Sequence, residues 1–206
     1  MPAPANVPAT LSDGLHLTGR RNFLVQHLVL SLGHSYRVMD AQKNPLFTVQ
    51  GDAGQNLAGN FLGSLAGGSD SYLGRLAARS VDMSYQLVDA SGIAWGRLHK
   101  QGGANQSTFT LLDNAQRPWI VIQLNRGLIG GIQATAVFPD GRPMMSTSGN
   151  LIRHNFMIRD PTGQDLAKVH EQWIALRDTY NVDVLGSIDP LYPIIYSVAI
   201  DYEKEK

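Results

Sequence analysis

The chain has 206 residues, of which 43% are hydrophobic and only 17% are charged, so it is long enough for one domain with a sizeable core. Lysine plus arginine and aspartate plus glutamate number 17 each, and this zero net charge argues against a protein that coats nucleic acid by bulk electrostatics. The absence of cysteine excludes disulfides, thiolate zinc sites, cysteine nucleophiles and palmitoylation.

The start of the chain, residues 1–18, is predicted to be a flexible lead-in, and residues 19–206 are predicted to form a single domain. Residues 1–10 are rich in proline and alanine and lack the basic start and apolar run of a signal peptide. No stretch approaches the roughly 18 consecutive apolar residues of a membrane-spanning helix. We therefore expect a cytoplasmic protein.

A short pattern recurs along the chain. An alternating run that usually opens with an aromatic residue ends at an aspartate, and a short turn then leads into a second alternating run. The five copies begin at Tyr36, Tyr85, Phe109, Ala134 (a worn copy) and Phe156. The pattern predicts a β-hairpin each time, in which the aspartate bonds to the backbone of the turn and a nearby glycine or asparagine supplies a positive φ.

The number of predicted strands favours a barrel. Five hairpins give ten strands, and residues 20–32 and 179–185 can each add one more. About twelve antiparallel strands in one sheet favour closure into a β-barrel, because closure leaves no unpaired edge. The predicted fold class is therefore mainly β.

The last segment of the chain is predicted to be a helix inside this barrel. Asp189 and Pro190 are typical of a helix start. The following run is apolar on almost every side, as expected for a buried helix. The side chains predicted to lie in the barrel are Ile194, Ile195, Val198 and Ala199.

Residues 53–80 interrupt the hairpin pattern and are predicted to form a short helical insertion. Leu57, Phe61 and Leu65 stand four residues apart, which is the spacing of one helix face. Two interpretations are open: the leucines pack on the barrel, or the insertion contacts a membrane or another subunit. The predicted contact residues are Phe61, Leu62, Leu65, Arg75 and Arg79.

The sequence contains no recognisable catalytic motif, so the protein is predicted not to be an enzyme and to need no cofactor. The six histidines show no metal-ligand spacing, and neither a P-loop nor a nucleophile elbow is present. One acidic cluster could supply oxygen ligands to a cation such as calcium; otherwise it is a polar loop before the last helix. Its members are Asp178, Asn181, Asp183 and Asp189.

The chain resembles the phospholipid scramblase and LURP-one-related family over roughly residues 20–202. The resemblance lies in residues 20–26, in residues 36–40 with Phe47, in residues 156–160 with Gly163, Lys168, Val169 and Trp173, and in Asp189-Pro190 before an apolar helix. It implies a tubby-like fold, which is a closed twelve-stranded barrel around a hydrophobic C-terminal helix.

The resemblance also implies a function at membranes, because the related families are associated with phospholipid membranes, phosphoinositide binding and calcium-dependent lipid scrambling. The chain lacks the cysteines that scramblases carry in their insertion, and the register of its acidic residues with their calcium segment is poor. We therefore expect a non-enzymatic domain, peripheral at a membrane, that binds a phospholipid surface without calcium-driven scrambling. The alternative is a protein-interaction or scaffold domain that self-associates through residues 53–80, and nucleic acid is not an expected partner.

Overall fold

The computed structural model describes residues 11–30, 33–51, 82–103, 106–126, 132–151, 155–171 and 179–204. They form a closed antiparallel barrel of twelve strands around one helix, which confirms the predicted fold class. The strands are β1 (Asn22–Leu30), β2 (Gly33–Asp40), β3 (Pro45–Gly51), β4 (Met83–Asp89), β5 (Ala94–Gln101), β6 (Gln106–Asp113), β7 (Pro118–Arg126), β8 (Ile132–Val137), β9 (Pro143–Asn150), β10 (Asn155–Arg159), β11 (Asp165–Glu171) and β12 (Thr179–Val184). The helices are α1 (Leu11–Gly14) and α2 (Leu191–Lys204).

The five sequence repeats are the five hairpins β2–β3, β4–β5, β6–β7, β8–β9 and β10–β11. In each hairpin the register shifts just before the turn, as between Val38 and Met39 or between Leu87 and Val88. Such bulges sharpen the local twist of a strand and help a sheet to curve. β1 and β12 pair with each other and close the ring.

The aspartate that ends each repeat holds its turn through the backbone. Oδ1 of Asp89 accepts hydrogen bonds from the amides of Ser91 (2.8 Å) and Ile93 (2.9 Å). The turns that begin at Asp40 and Asp160 have the same pair of bonds. In the worn copy Phe138 occupies the aspartate position; the backbone bonds of the turn remain, and Asp140 Oδ1, two residues later, accepts a hydrogen bond from the amide of Arg142 (3.0 Å).

Each of the five turns has one residue with positive φ, three positions after the aspartate position. Glycine occupies this place in three turns, as expected, at Gly92, Gly141 and Gly163. The prediction of glycine or asparagine is wrong for the other two, where Lys43 (66°) and Gln116 (60°) adopt the left-handed conformation. A residue with a Cβ adopts that conformation at a cost of roughly 1–2 kcal/mol.

Replacing Gln116 with glycine should therefore stabilise the protein. The relief of the left-handed strain exceeds the entropy that glycine loses on folding, so we expect a gain of about 0.5–1 kcal/mol in the free energy of unfolding. Urea denaturation followed by circular dichroism measures this change. Gly92→Ala, at the equivalent place in a neighbouring turn, should change stability in the opposite direction, and a loss of stability in Gln116→Gly contradicts the interpretation.

α2 fills the barrel from end to end. Its start is capped by Asp189, whose Oδ1 accepts a hydrogen bond from the amide of Leu191 (2.9 Å). Pro193 lies in the first turn, where its missing N–H is not needed. Of the residues from Leu191 to Glu203 only Tyr192 is not fully buried, and the predicted interior residues Ile194, Ile195, Val198 and Ala199 are at most 2% exposed.

The described part of the expected lead-in packs on the barrel, which differs from the predicted boundary at residue 18. Leu11, Leu15 and Leu17 are buried in the core. A Cβ on Gly14 would lie 2.4 Å from the ring of Trp95, so the backbone touches this side chain directly. The helix α1 has only four residues, barely more than one helical turn, which is too short for a periodic pattern to predict a helix. Among the described residues, no helix is long and apolar enough to cross a membrane.

Candidate functional site

The two ends of the barrel differ in what closes them. One end, the turn rim, carries the five tight turns, α1 and the start of α2. The other end, the far rim, carries the end of α2 and the strand ends from which all other connections leave, including Gly51 of β3 and Met83 of β4. A site that meets other molecules has to be sought at these rims or on the outer wall, because α2 occupies the interior.

At the turn rim, the side chains of α1, of the turns and of the loop before β1 bond to one another. Ser12 of α1 donates a hydrogen bond to Asp189 Oδ1, and Trp95 Nε1 donates to Asp89 Oδ2 (2.8 Å). Arg20 is paired with Asp40, with 2.7 Å between the guanidinium and the carboxylate. These carboxylates therefore hold α1, the turns and the start of β1 in place at this rim.

The carboxyl groups of the turns have lowered pKa values. Burial raises the pKa of Asp89, but hydrogen bonds from Trp95, Ser91 and Ile93 outweigh it and lower the pKa from 3.8 to about 2. Hydrogen bonding also lowers the pKa of Asp113, chiefly through the backbone and side chain of Arg117, against a smaller effect of burial. A lowered pKa means that the folded state stabilises the charged form of these carboxyl groups more than the unfolded state does.

The far rim contains a group of buried charges, which we call the far-rim charge cluster: Lys100, Arg126, Asp201 and Glu203. Lys100, Asp201 and Glu203 are at most 3% exposed. Arg126 donates to the carbonyl oxygen of Glu203 and lies 3.3 Å from Glu203 Oε2. Lys204 Nζ is 4.0 Å from Asp201 Oδ1. Cations near the carbonyls that end a helix also oppose the negative end of its dipole.

Aromatic side chains surround the cluster. The ammonium group of Lys100 lies 5.8 Å from the centre of the Tyr202 ring, and Tyr202 packs edge-on against Tyr85 and Phe109. The hydroxyl groups of Tyr202 and Tyr85 both lie within hydrogen-bonding distance of Met83 Sδ, at 2.7 Å and 3.5 Å. Burial raises the pKa of both tyrosines well above 10, so the phenols remain neutral.

The residues predicted as a cation site do not come together. Asp178 lies outside the described residues, and Asp189 caps α2 at the turn rim. Asn181 and Asp183 lie on the outer wall, where Asp183 Oδ1 accepts a hydrogen bond from Asn22 (2.8 Å). Within the described residues no group of three or more histidine or acidic side chains is placed to hold a metal ion.

The outer wall brings one histidine next to a carboxylate, which the sequence did not predict. His170 Nδ1 lies 3.4 Å from Asp183 Oδ2, and His170 Nε2 lies 3.1 Å from the amide nitrogen of Asn181. A nucleophilic relay needs a hydroxyl or thiol at the second ring nitrogen. An amide occupies that place here, so these three side chains do not form such a relay.

The predicted contact residues Phe61, Leu62, Leu65, Arg75 and Arg79 lie outside the described residues. Their place in the chain is nevertheless defined by the strands that flank them, since β3 ends at Gly51 and β4 begins at Met83, both at the far rim. The far rim is therefore the candidate functional site.

Sequence reasoning missed the far-rim charge cluster. Lys100 occupies an inward position of β5, two residues after buried Leu98 and four after buried Gly96. This alternation is a usable signal, but lysine is almost never fully buried unless it is paired, so residue type alone favours an outward position for Lys100. The acidic members of the cluster are about a hundred residues later in the chain.

Comparisons with known proteins add only a distant likeness in fold. Neither the comparison with protein families nor the comparison with curated proteins gives a match. Among solved structures, the chain is similar to the X-ray structure of a protein from Arabidopsis thaliana, with 14% sequence identity and a TM-score of 0.49 over 90% of this chain and 91% of the other. The fold of the described residues defines the class of the protein as a twelve-stranded closed β-barrel with a central helix.

Proposed function

We propose that the protein is a non-enzymatic domain, peripheral at membranes, that binds a phospholipid surface and is related to the phospholipid scramblases and LURP-one-related proteins. The main support is the resemblance in sequence together with the barrel and its buried helix, which have the architecture that this resemblance implies. Binding through a surface fits a barrel whose interior is filled by its own helix.

The proposal assigns lipid contact to the far rim. The turn rim is closed by α1, and its side chains are bonded to one another. The insertion that leaves β3 at the far rim carries Phe61, Leu62 and Leu65 for the apolar boundary of a bilayer and Arg75 and Arg79 for its headgroups. Calcium-driven scrambling is not part of the proposal, because only Asn181 and Asp183 of the suspected calcium ligands lie near each other among the described residues.

Flotation with liposomes that contain anionic phospholipid tests this function. Loss of one buried phenylalanine side chain removes about 1.5–3 kcal/mol of membrane affinity, so Phe61→Asp should reduce partitioning at least about tenfold. Ile93→Asp is the matched control, because Ile93 is 54% exposed but lies at the turn rim. It should float like the wild type.

If the wild type and Phe61→Asp are recovered equally in the floating fraction, the insertion does not contact the lipid. If the wild type does not float at all, the protein does not bind lipid. The alternative, self-association through residues 53–80, predicts instead that light scattering detects a smaller assembly when residues 54–79 are deleted.

A further inference from the structure

One side of the outer wall of the barrel carries no charge. On β6, β7 and β8 the inward positions are core residues such as Phe109, Ile122 and Ala136, so the side chains that alternate with them point outward. These outward side chains include glutamine, asparagine, threonine, leucine and valine but no acidic or basic residue. Charged residues make up 17% of the chain and mostly lie on surfaces, so three neighbouring strands without any outward charge depart from an even distribution.

The centre of this surface is a row of hydrogen-bonding side chains, which we call the polar ladder. It crosses five strands, from β5 to β9, through residues that lie directly opposite each other. Its members are Gln101, Thr108, Gln123, Thr135 and Ser146. Because neighbouring strands are about 4.8 Å apart, the ladder is roughly 19 Å long.

The polar ladder is accessible, and its hydrogen-bonding groups are not used within the barrel. Gln101, Thr135 and Ser146 are exposed, and Thr108 and Gln123 are half-buried. Within the part of the chain that the structure describes, none of these five side chains takes part in a hydrogen bond or an ion pair. The ladder therefore presents donors and acceptors that are available to a partner.

Uncharged side chains also flank the polar ladder. Toward the far rim, Asn125 is paired with Gln106 and Gln133. Toward the turn rim, Val121 is paired with Val137. Together with the ladder they form a surface that extends roughly 20 Å in each direction and combines uncharged polar groups with a small apolar strip.

The opposite side of the barrel has a different composition. Arg37 of β2 and Lys168 of β11 are exposed there, and Asp183 of β12 lies 3.4 Å from His170. Charged residues are depleted at the centres of interfaces between proteins, which are otherwise about as polar as the remaining surface. The composition of the uncharged side is therefore that of an interface centre.

The chemistry of the polar ladder favours a second copy of this chain as the partner. Amide and hydroxyl side chains each contain a donor and an acceptor, so a surface built from them is complementary to itself. A two-fold symmetric contact brings a surface against its own copy, and a surface without charge meets that copy without repulsion. A small ligand fits less well, because small ligands are held in concave sites and the outer wall of a barrel is convex.

We propose that two copies of the chain associate through the polar ladder, with Gln123 of both copies beside the two-fold axis. The surface of roughly 400 Å² per copy is about half that of a standard stable interface, so the dimer is weak, with a dissociation constant in the micromolar range. This inference goes beyond the proposed function, since it requires neither lipid nor the insertion of residues 53–80.

Sedimentation equilibrium of the full chain without lipid tests the association. Between about 1 and 500 μM protein, the average mass of the wild type should rise from 22.5 kDa toward twice that value. Gln123→Lys brings two cations together at the axis and should raise the dissociation constant at least about tenfold. Gln50→Lys is the matched control, because it adds the same charge at an exposed position of β3, and it should dimerise like the wild type.

A mixing experiment separates a lost contact from a lost fold. Gln123→Glu alone should also remain monomeric, but an equal mixture with Gln123→Lys should restore the dimer, because opposite charges then meet at the axis. A wild type that remains at 22.5 kDa throughout overturns the proposal, and so does a mixture that remains monomeric. A dimer that persists in Gln123→Lys and disappears when residues 54–79 are deleted also overturns it, because the insertion is then the contact.

Discussion

Arg126→Ala should lower the free energy of unfolding by about 3–5 kcal/mol, because it leaves the buried carboxylate of Glu203 without its cationic partner. Glu203 is 3% exposed, and Arg126 contacts both its carboxylate and its backbone carbonyl at the end of α2. Loss of Arg126 therefore removes the compensation of a charge and the bond to a helix terminus at once. Urea denaturation at neutral pH measures the change.

Two further variants separate burial from charge. Arg142→Ala breaks a pair of the same kind, but its partners Arg142 and Asp140 are 73% and 54% exposed, so the cost should be about 0–1 kcal/mol. Arg126→Met combined with Glu203→Met removes both charges and should be more stable than Arg126→Ala alone. If Arg126→Ala and Arg142→Ala lose the same free energy of unfolding, burial does not determine the cost of breaking these ion pairs.

Asp89→Ala is expected to cost roughly 2–4 kcal/mol, because it removes several net-favourable hydrogen bonds of about 0.5–1.5 kcal/mol each. The Asp89 carboxylate accepts bonds from the amides of Ser91 and Ile93, from the Ser91 hydroxyl and from the Trp95 indole. Thermal unfolding followed by circular dichroism measures the loss. Asp165→Ala, whose exposed pair with Arg159 is 43–45% accessible, should be nearly neutral.

Asp89 and the other aspartates of the turns should make the protein less stable in acid. The pKa of Asp89 falls from 3.8 to about 2 on folding, so between these values the unfolded state binds more protons than the folded state. The stabilisation is complete above pH 4 and is lost as the pH falls toward 2. We expect Asp89→Ala to show a shallower decrease in stability over this range than the wild type, and identical slopes would contradict the assignment.

The sequence predicted the barrel well because the information for its hairpins is local. A turn such as that of Asp89 is specified by residues within five positions of one another, and the repeated pattern shows where each strand ends. The helix α2 was equally predictable, since Asp189 caps it and apolar residues surround it on all sides. Closure of the ring then follows from the number of strands.

Features that depend on distant parts of the chain were missed. Lys100 is buried beside Tyr202 of α2, and no window of sequence around Lys100 contains that information. The burial of Leu11 likewise depends on the space at the turn rim, beside Gly96. Asn181 and Asp189 are near in sequence, yet strand β12 and the cap of α2 direct them to different places.

The order of the strands has a consequence for how the chain is synthesised and folds. Every pairing in the ring joins strands that follow each other in sequence, except the pairing of β1 with β12. Hairpins can therefore form while the chain leaves the ribosome, because their partners are already present. The seam and the core cannot form until residues 179–204 have been made, so the inner apolar wall stays exposed to water, and open to chaperones, until the last stage of translation of this domain.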